Sequence, residues 1–183
     1  MEAEHRVPHR IGVIGLGNVL MGDDAFGPWV VQTLLAEHDF PEGVAVEDLG
    51  TPGLDLTPWV TDLEALVLVD TVRSDAAPGT IRLYRRDELL KHAPQARLSP
   101  HDPGVKEALL CAEFAGRGPR EVLLVGAVPA TTAMGVGLSP ALHAAVPLAA
   151  AEVLRELARL ECATTPRSAP RPPDVWWEQA PRP

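Results

Sequence analysis

Two aliphatic runs constrain this chain more than anything else in it: "ALVLVD" at residues 65–70 and "EVLLVGAV" at residues 121–128. Each has the length of one strand, and neither alternates between polar and apolar residues. A strand with one wet face must alternate, so runs of this kind belong in a sheet buried on both faces, as a parallel sheet is between two layers of helix. Residues 10–15 form a shorter aliphatic strand, and a helix is expected over 26–37, where Trp29, Val30, Thr33 and Leu34 share a face. Further strands are expected at 44–48 and, after the turn "DAAPG", at 80–84, the last antiparallel at the sheet edge. An amphipathic helix fits 105–114. A final helix opens at Ser139-Pro140, serine as N-cap and proline in the first turn, and runs to about Leu160 with a kink at Pro147. The expected fold is α/β and three-layered: a twisted, mostly parallel central sheet of about five strands with helices on both faces.

Domain organisation follows from the same pattern. Residues 1–9 read as an N-terminal extension and 10–161 as one domain. Residues 162–183, "CATTPRSAPRPPDVWWEQAPRP", read as a proline-rich disordered tail outside the fold, in which Trp176-Trp177 is an unusual pair. The net charge of −9 leaves no basic footprint for nucleic acid or an anionic membrane surface. From Val122 to Ala151 there is no Asp, Glu, Lys or Arg, but Pro129, Pro140 and Pro147 break the stretch and argue against a membrane span. The first ten residues lack the apolar run of a secretory signal. Cys111 and Cys162 form no C-x-x-C pair and read as reduced thiols, so a cytoplasmic protein is expected.

Chemistry points to the stretch "IGVIGLGNVLMGDDAFG", residues 11–27. Gly15-Leu16-Gly17 begins like a dinucleotide fingerprint, but Leu20 stands where the third glycine belongs, and Asp23 and Asp24 put negative charge where a phosphate would sit. Glu47 or Asp48 remains available to imitate a ribose-binding acid. In open α/β sheets, ligands lie beyond the carboxyl ends of the strands. Asp23 and Asp24 follow the first strand, Asp70 ends the third, and His101 precedes the helix at 105. Two carboxylates and an imidazole suit Ni²⁺ or Zn²⁺, and three ligands leave a coordination position open. Each also has a plainer use: one of the paired aspartates as a helix cap, Asp70 as a strand-terminal turn residue, His101 as a solvated loop histidine.

"GLGNVLMGDDAFG", "DLGTPG", "LVDTV" and "SPHDPG", in that order, closely resemble the hydrogenase maturation protease family over residues 11–160. The resemblance implies an aspartic-type endopeptidase that removes a C-terminal extension from the large-subunit precursor of a nickel-iron hydrogenase after nickel insertion. It carries the metal-contacting and catalytic roles onto Asp24, Asp70 and His101. It also implies no permanent cofactor, the nickel being the one already held by the precursor. Ala25 departs from a frequent family glycine. Which of Asp24, Asp70 and Asp48 assists the attacking water, or whether nickel polarises the scissile carbonyl, stays open. So do two other functions: a free-standing zinc metallohydrolase and a nucleotide-binding oxidoreductase.

Overall fold

The computed structural model describes residues 10–91 and 104–179. Its centre is a five-stranded sheet built from β1 (Ile11–Leu16), β3 (Val44–Gly50), β4 (Ala65–Thr71), β5 (Ile81–Arg85) and β6 (Glu121–Ala127), in the order β3-β1-β4-β6-β5. The β3, β1, β4 and β6 strands are parallel, and β5 closes the edge antiparallel to β6. All six residues of β1 and all seven of β4 are buried, as expected of aliphatic runs covered on both faces.

The strand alternation sorts the core into two layers. Val13, Val46, Val67, Val69 and Val125 meet α1 (Phe26–Glu37) and α5 (Pro140–Arg159) on one face. Ile14, Leu16, Leu66, Leu68 and Leu124 pack with Val60 of α2 (Thr57–Val60) and with Val105 and Leu109 of α4 (Val105–Phe114) on the other. A short α3 (Arg86–Lys91) follows β5. Ser139 caps α5 by accepting from the Leu142 amide at 3.4 Å, with Pro140 in the first turn. The helix continues through Pro147, which has no N–H to give to the carbonyl four residues back.

The chain after α5 departs from the sequence-based expectation of a disordered tail. Residues 162–179 form a strap that runs along α1 from its C-terminal end toward its start. Thr165–Pro166 (β7) pairs antiparallel with His38–Asp39 (β2). The Arg167 and Arg171 amides donate to the Glu37 and Ala36 carbonyls at 2.8 and 3.2 Å, satisfying orphan acceptors of the last turn of α1. The Arg167 guanidinium donates to the His38 carbonyl at 3.1 Å and pairs with Asp39 at 3.0 Å. Trp177 is buried in the α1–α5 core, edge-on to Trp29 with ring centroids 6.5 Å apart, and the Trp29 indole donates to Glu178 at 2.8 Å. Prolines cannot fill a ladder, but they do not stop a chain from docking by side chains and isolated amides, and composition does not distinguish the two.

Candidate functional site

Strand order fixes where a site can lie. The chain passes from β1 to β3 on one side, then returns to place β4 on the other side of β1. The carboxyl ends of β1 and β4 therefore border the crevice where the winding reverses, the position at which doubly wound sheets bind ligands. The loop after β1 carries Asp23 and Asp24, and β4 supplies Asp70 next to its end.

Three glycines set that loop. A β-carbon on Gly27 would lie 2.2 Å from the Leu16 carbonyl oxygen and 2.5 Å from that of Val69; one on Gly15 would lie 2.6 Å from the Gly27 carbonyl oxygen. The first turn of α1 thus rests on the main chain of β1 and β4. Gly17, with φ of 151°, would drive a side chain to 1.8 Å from the Asp24 carbonyl oxygen. The loop then tightens into a 3-10 turn, Gly22–Ala25, before α1 begins.

The paired aspartates divide their work differently from the helix-cap expectation. Neither caps a helix: Met21 is the N-cap of the 3-10 turn and Ala25 that of α1, both without side-chain capping bonds. Asp23 is fully buried and faces the β6–α5 loop. Its Oδ2 accepts from the Ala130 and Thr131 amides at 2.7 and 3.1 Å and from the Ser139 hydroxyl at 2.9 Å, and its Oδ1 from the Ser139 amide at 2.6 Å. Main-chain bonds continue the seam: Asp23 N to Thr131 O, Gly22 N to Gly135 O and Gly135 N to Leu20 O, at 3.0, 2.8 and 2.9 Å. Asp23 is a staple between two loops.

Asp24 and Asp70 meet at one residue. Asp24 Oδ2 accepts from the Asn18 amide at 2.8 Å, and its Oδ1 accepts from the Thr71 hydroxyl at 3.1 Å. Asp70 Oδ1 accepts from the Thr71 amide at 2.8 Å. Thr71 therefore links both carboxylates, and both are buried. Asn18 and Thr71 escaped the sequence reading; the only signals were an asparagine inside the glycine turn and the threonine of "LVDTV". Asp48, at the end of β3, accepts from the Gly50 amide at 3.0 Å, and burial pushes its carboxyl above the ordinary range against that bond.

His101 lies outside the described residues, three positions before Gly104, the N-cap of α4. Asp70 and α4 share a sheet face, since Leu66 and Leu68 alternate with Val67 and Val69 and point toward the α2–α4 layer. Among the described residues no three metal-donor side chains cluster. Asp24 and Asp70 are each hard oxygen donors, the kind of group a divalent cation takes.

The loop geometry answers the dinucleotide fingerprint. The amides that would cradle a phosphate are taken by the chain's own carboxylates, Asn18 by Asp24, and Ala130 and Thr131 by Asp23. An incoming anion would face those charges.

Residues 28–156 match the hydrogenase maturation protease family HycI. The chain belongs to that family. The hydrogenase expression/formation protein HupM of Azotobacter chroococcum is 36% identical over 156 residues, covering 85% of this chain and 75% of HupM. The hydrogenase 2 maturation protease of Escherichia coli is 32% identical, covering 87% of this chain and 98% of its own length. The structure of the hydrogenase maturating endopeptidase HybD from E. coli superposes with a TM-score of 0.81 at 32% identity, over 87% of this chain and 98% of that one. Membership of this family makes the chain a peptidase. The matched range takes in Asp70 and His101 and begins four residues after Asp24.

Proposed function

We propose that this peptidase removes the C-terminal extension of a nickel-iron hydrogenase large-subunit precursor once nickel is in place, reading the nickel through Asp24, Asp70 and His101. The observation that carries the reading is Thr71 at the end of β4, whose hydroxyl donates to Asp24 and whose amide donates to Asp70, so that one residue contacts both carboxylates. Two buried carboxylates bordering one crevice leave negative charge without a cation there, and a divalent ion delivered by the substrate would supply one. A precursor carrying the metal is favoured over an empty one by that difference.

The chain's own residues then have defined tasks. Asp24, fixed by the Asn18 amide and the Thr71 hydroxyl, offers its remaining lone pairs to the cation. Asp70 shares the crevice, and His101 supplies an imidazole nitrogen. An acid near the scissile carbonyl takes the proton of the attacking water, and Asp24, Asp70 and Asp48 are the candidates at the carboxyl ends of the strands. No helix among the described residues is long and apolar enough to cross a membrane. Both cysteines are free, which supports placing the reaction in the reducing cytoplasm.

The test pairs two forms of one large-subunit precursor, nickel-loaded and nickel-free, with the purified protein, and resolves the products by mass. Cleavage of the loaded form alone is expected. Equal cleavage of both removes nickel from the recognition step. A stoichiometric zinc in the purified protein would favour the resident-metal hydrolase instead.

A further inference from the structure

The described surface exposes few large apolar side chains, and several gather at one end of the molecule. Leu20 in the loop after β1, and Met134 and Val136 in the loop after β6, are 56, 88 and 52% exposed. Their loops are not slack. Met21 bridges Gly135, the Gly135 amide donates to the Leu20 carbonyl, and Asp23 pins both ends of the second loop. Rigid main chain presenting apolar side chains to water is a prepaid binding surface, since little ordering entropy is left to lose on association.

The strap adds to this surface. It climbs α1 to its first turns, where Glu178 takes the Trp29 indole N–H and places a carboxylate oxygen 3.6 Å from where a β-carbon would stand on Gly137, the neighbour of Val136. Trp177 is the buried anchor; Trp176, edge-on to it with centroids 5.8 Å apart, is 63% exposed. One tryptophan of the pair docks the strap, and the other is left exposed two residues before Glu178, which reaches the loop.

We infer that Leu20, Met134, Val136 and Trp176 form an apolar rim that captures an uncharged, apolar segment of the large-subunit precursor next to the bond to be cut. The inference rests on the proposed function. Its argument is continuity: the rim's loops are those that carry Asp24 and pin Asp23, so a polypeptide entering the crevice crosses the rim. Residues 128–139 contain no charged side chain, so the loop side of the rim offers no ion-pair partner, and the Glu178 carboxylate beside it is engaged by the Trp29 indole. A mobile methionine and an exposed tryptophan are suited to an extended chain of variable sequence, with tryptophan the strongest single anchor.

The test measures steady-state cleavage of the nickel-loaded precursor by the full chain, its Trp176→Ala and Trp176→Phe variants, and a Met134→Ser/Val136→Ser double variant. Trp176→Ala and the double variant are expected to raise KM about tenfold with kcat within about twofold, as the loss of one interfacial anchor implies. Trp176→Phe is expected to recover most of that loss. The melting temperature of the Met134→Ser/Val136→Ser variant should match the wild type, because those side chains are mostly exposed, and Trp176→Ala should lose only a few degrees for its edge contact with Trp177. KM within about twofold of wild type in both Trp176→Ala and the double variant overturns the rim while leaving the proposed cleavage intact. Failure of the wild type to cleave any such precursor overturns both.

Discussion

Replacing Asp23 by alanine tests whether the staple is structural, and its cost can be worked from the bonds. The carboxylate accepts three main-chain amides and one hydroxyl, all between 2.6 and 3.1 Å, in a side chain with no exposed surface. Alanine leaves three amides without their acceptor. Each buried unsatisfied donor costs about 1–3 kcal/mol, while removing the carboxylate also removes its own desolvation cost, and water reaching a part-exposed loop recovers some of the rest. A net loss of about 3 kcal/mol follows, three times what a lost helix cap would cost. For a domain of this size that lowers Tm by about 6–12 °C. Asp23→Asn should lie between, because its NH₂ faces donors where an oxygen stood. Thermal unfolding by circular dichroism measures both, with precursor cleavage followed well below Tm. Asp23→Ala should also slow cleavage, since the loop it releases flanks the crevice. An alanine variant melting within about 2 °C of wild type would refute the reasoning and return Asp23 to the role of a minor turn residue.

Asp24→Ala, Asp70→Ala and His101→Ala should each abolish precursor processing while the folded far-ultraviolet spectrum persists; full processing by any two would reject the site. Trp177→Ala should destabilise by about 3 kcal/mol, a Tm loss of about 6–12 °C, because the indole is part of the core; an unchanged Tm would show that the strap contributes nothing. Glu156 is buried, which alone would raise its pKa, but hydrogen bonds from Arg159 and Arg85 outweigh burial and bring it from 4.5 to about 2. Its contribution to stability is therefore complete above pH 4.5 and is lost as pH falls toward 2. Glu156→Gln should flatten acid unfolding across that window, as read by tryptophan fluorescence during acid titration, and an unaltered profile would show that the ion pairs carry no net stability.

The fold was legible where burial is two-sided. The runs at 65–70 and 121–128 appear as β4 and β6, and the helices expected at 26–37 and 105–114 appear with those bounds, because apolar periodicity and strand-like runs record what the core demands. Strand order was not legible, and neither were α2 and α3, each too short to impose a period. At the site, sequence placed Asp24 and Asp70 in loops and strand ends of the right kind. The family resemblance put the metal-contacting role on Asp24, but the residues alone did not reveal what Asp23 does, because adjacent carboxylates look alike until their partners, 100 residues or more away for Asp23, are known. The strap was misjudged for a related reason: its order comes from amides and indoles meeting α1, not from any local pattern.

The glycine contacts beneath the crevice have a mechanical consequence. Where α1 bears on β1 and β4, carbonyl oxygens lie 2.2 to 2.6 Å from where β-carbons would project, so the joint holds backbone against backbone, with only the stiff β-branched Val31 side chain beside it. Side-chain joints yield by repacking; this one has little to repack. The start of α1, and the acid just before it, therefore behave as a fixed gauge, and any give in the crevice must be found away from this joint.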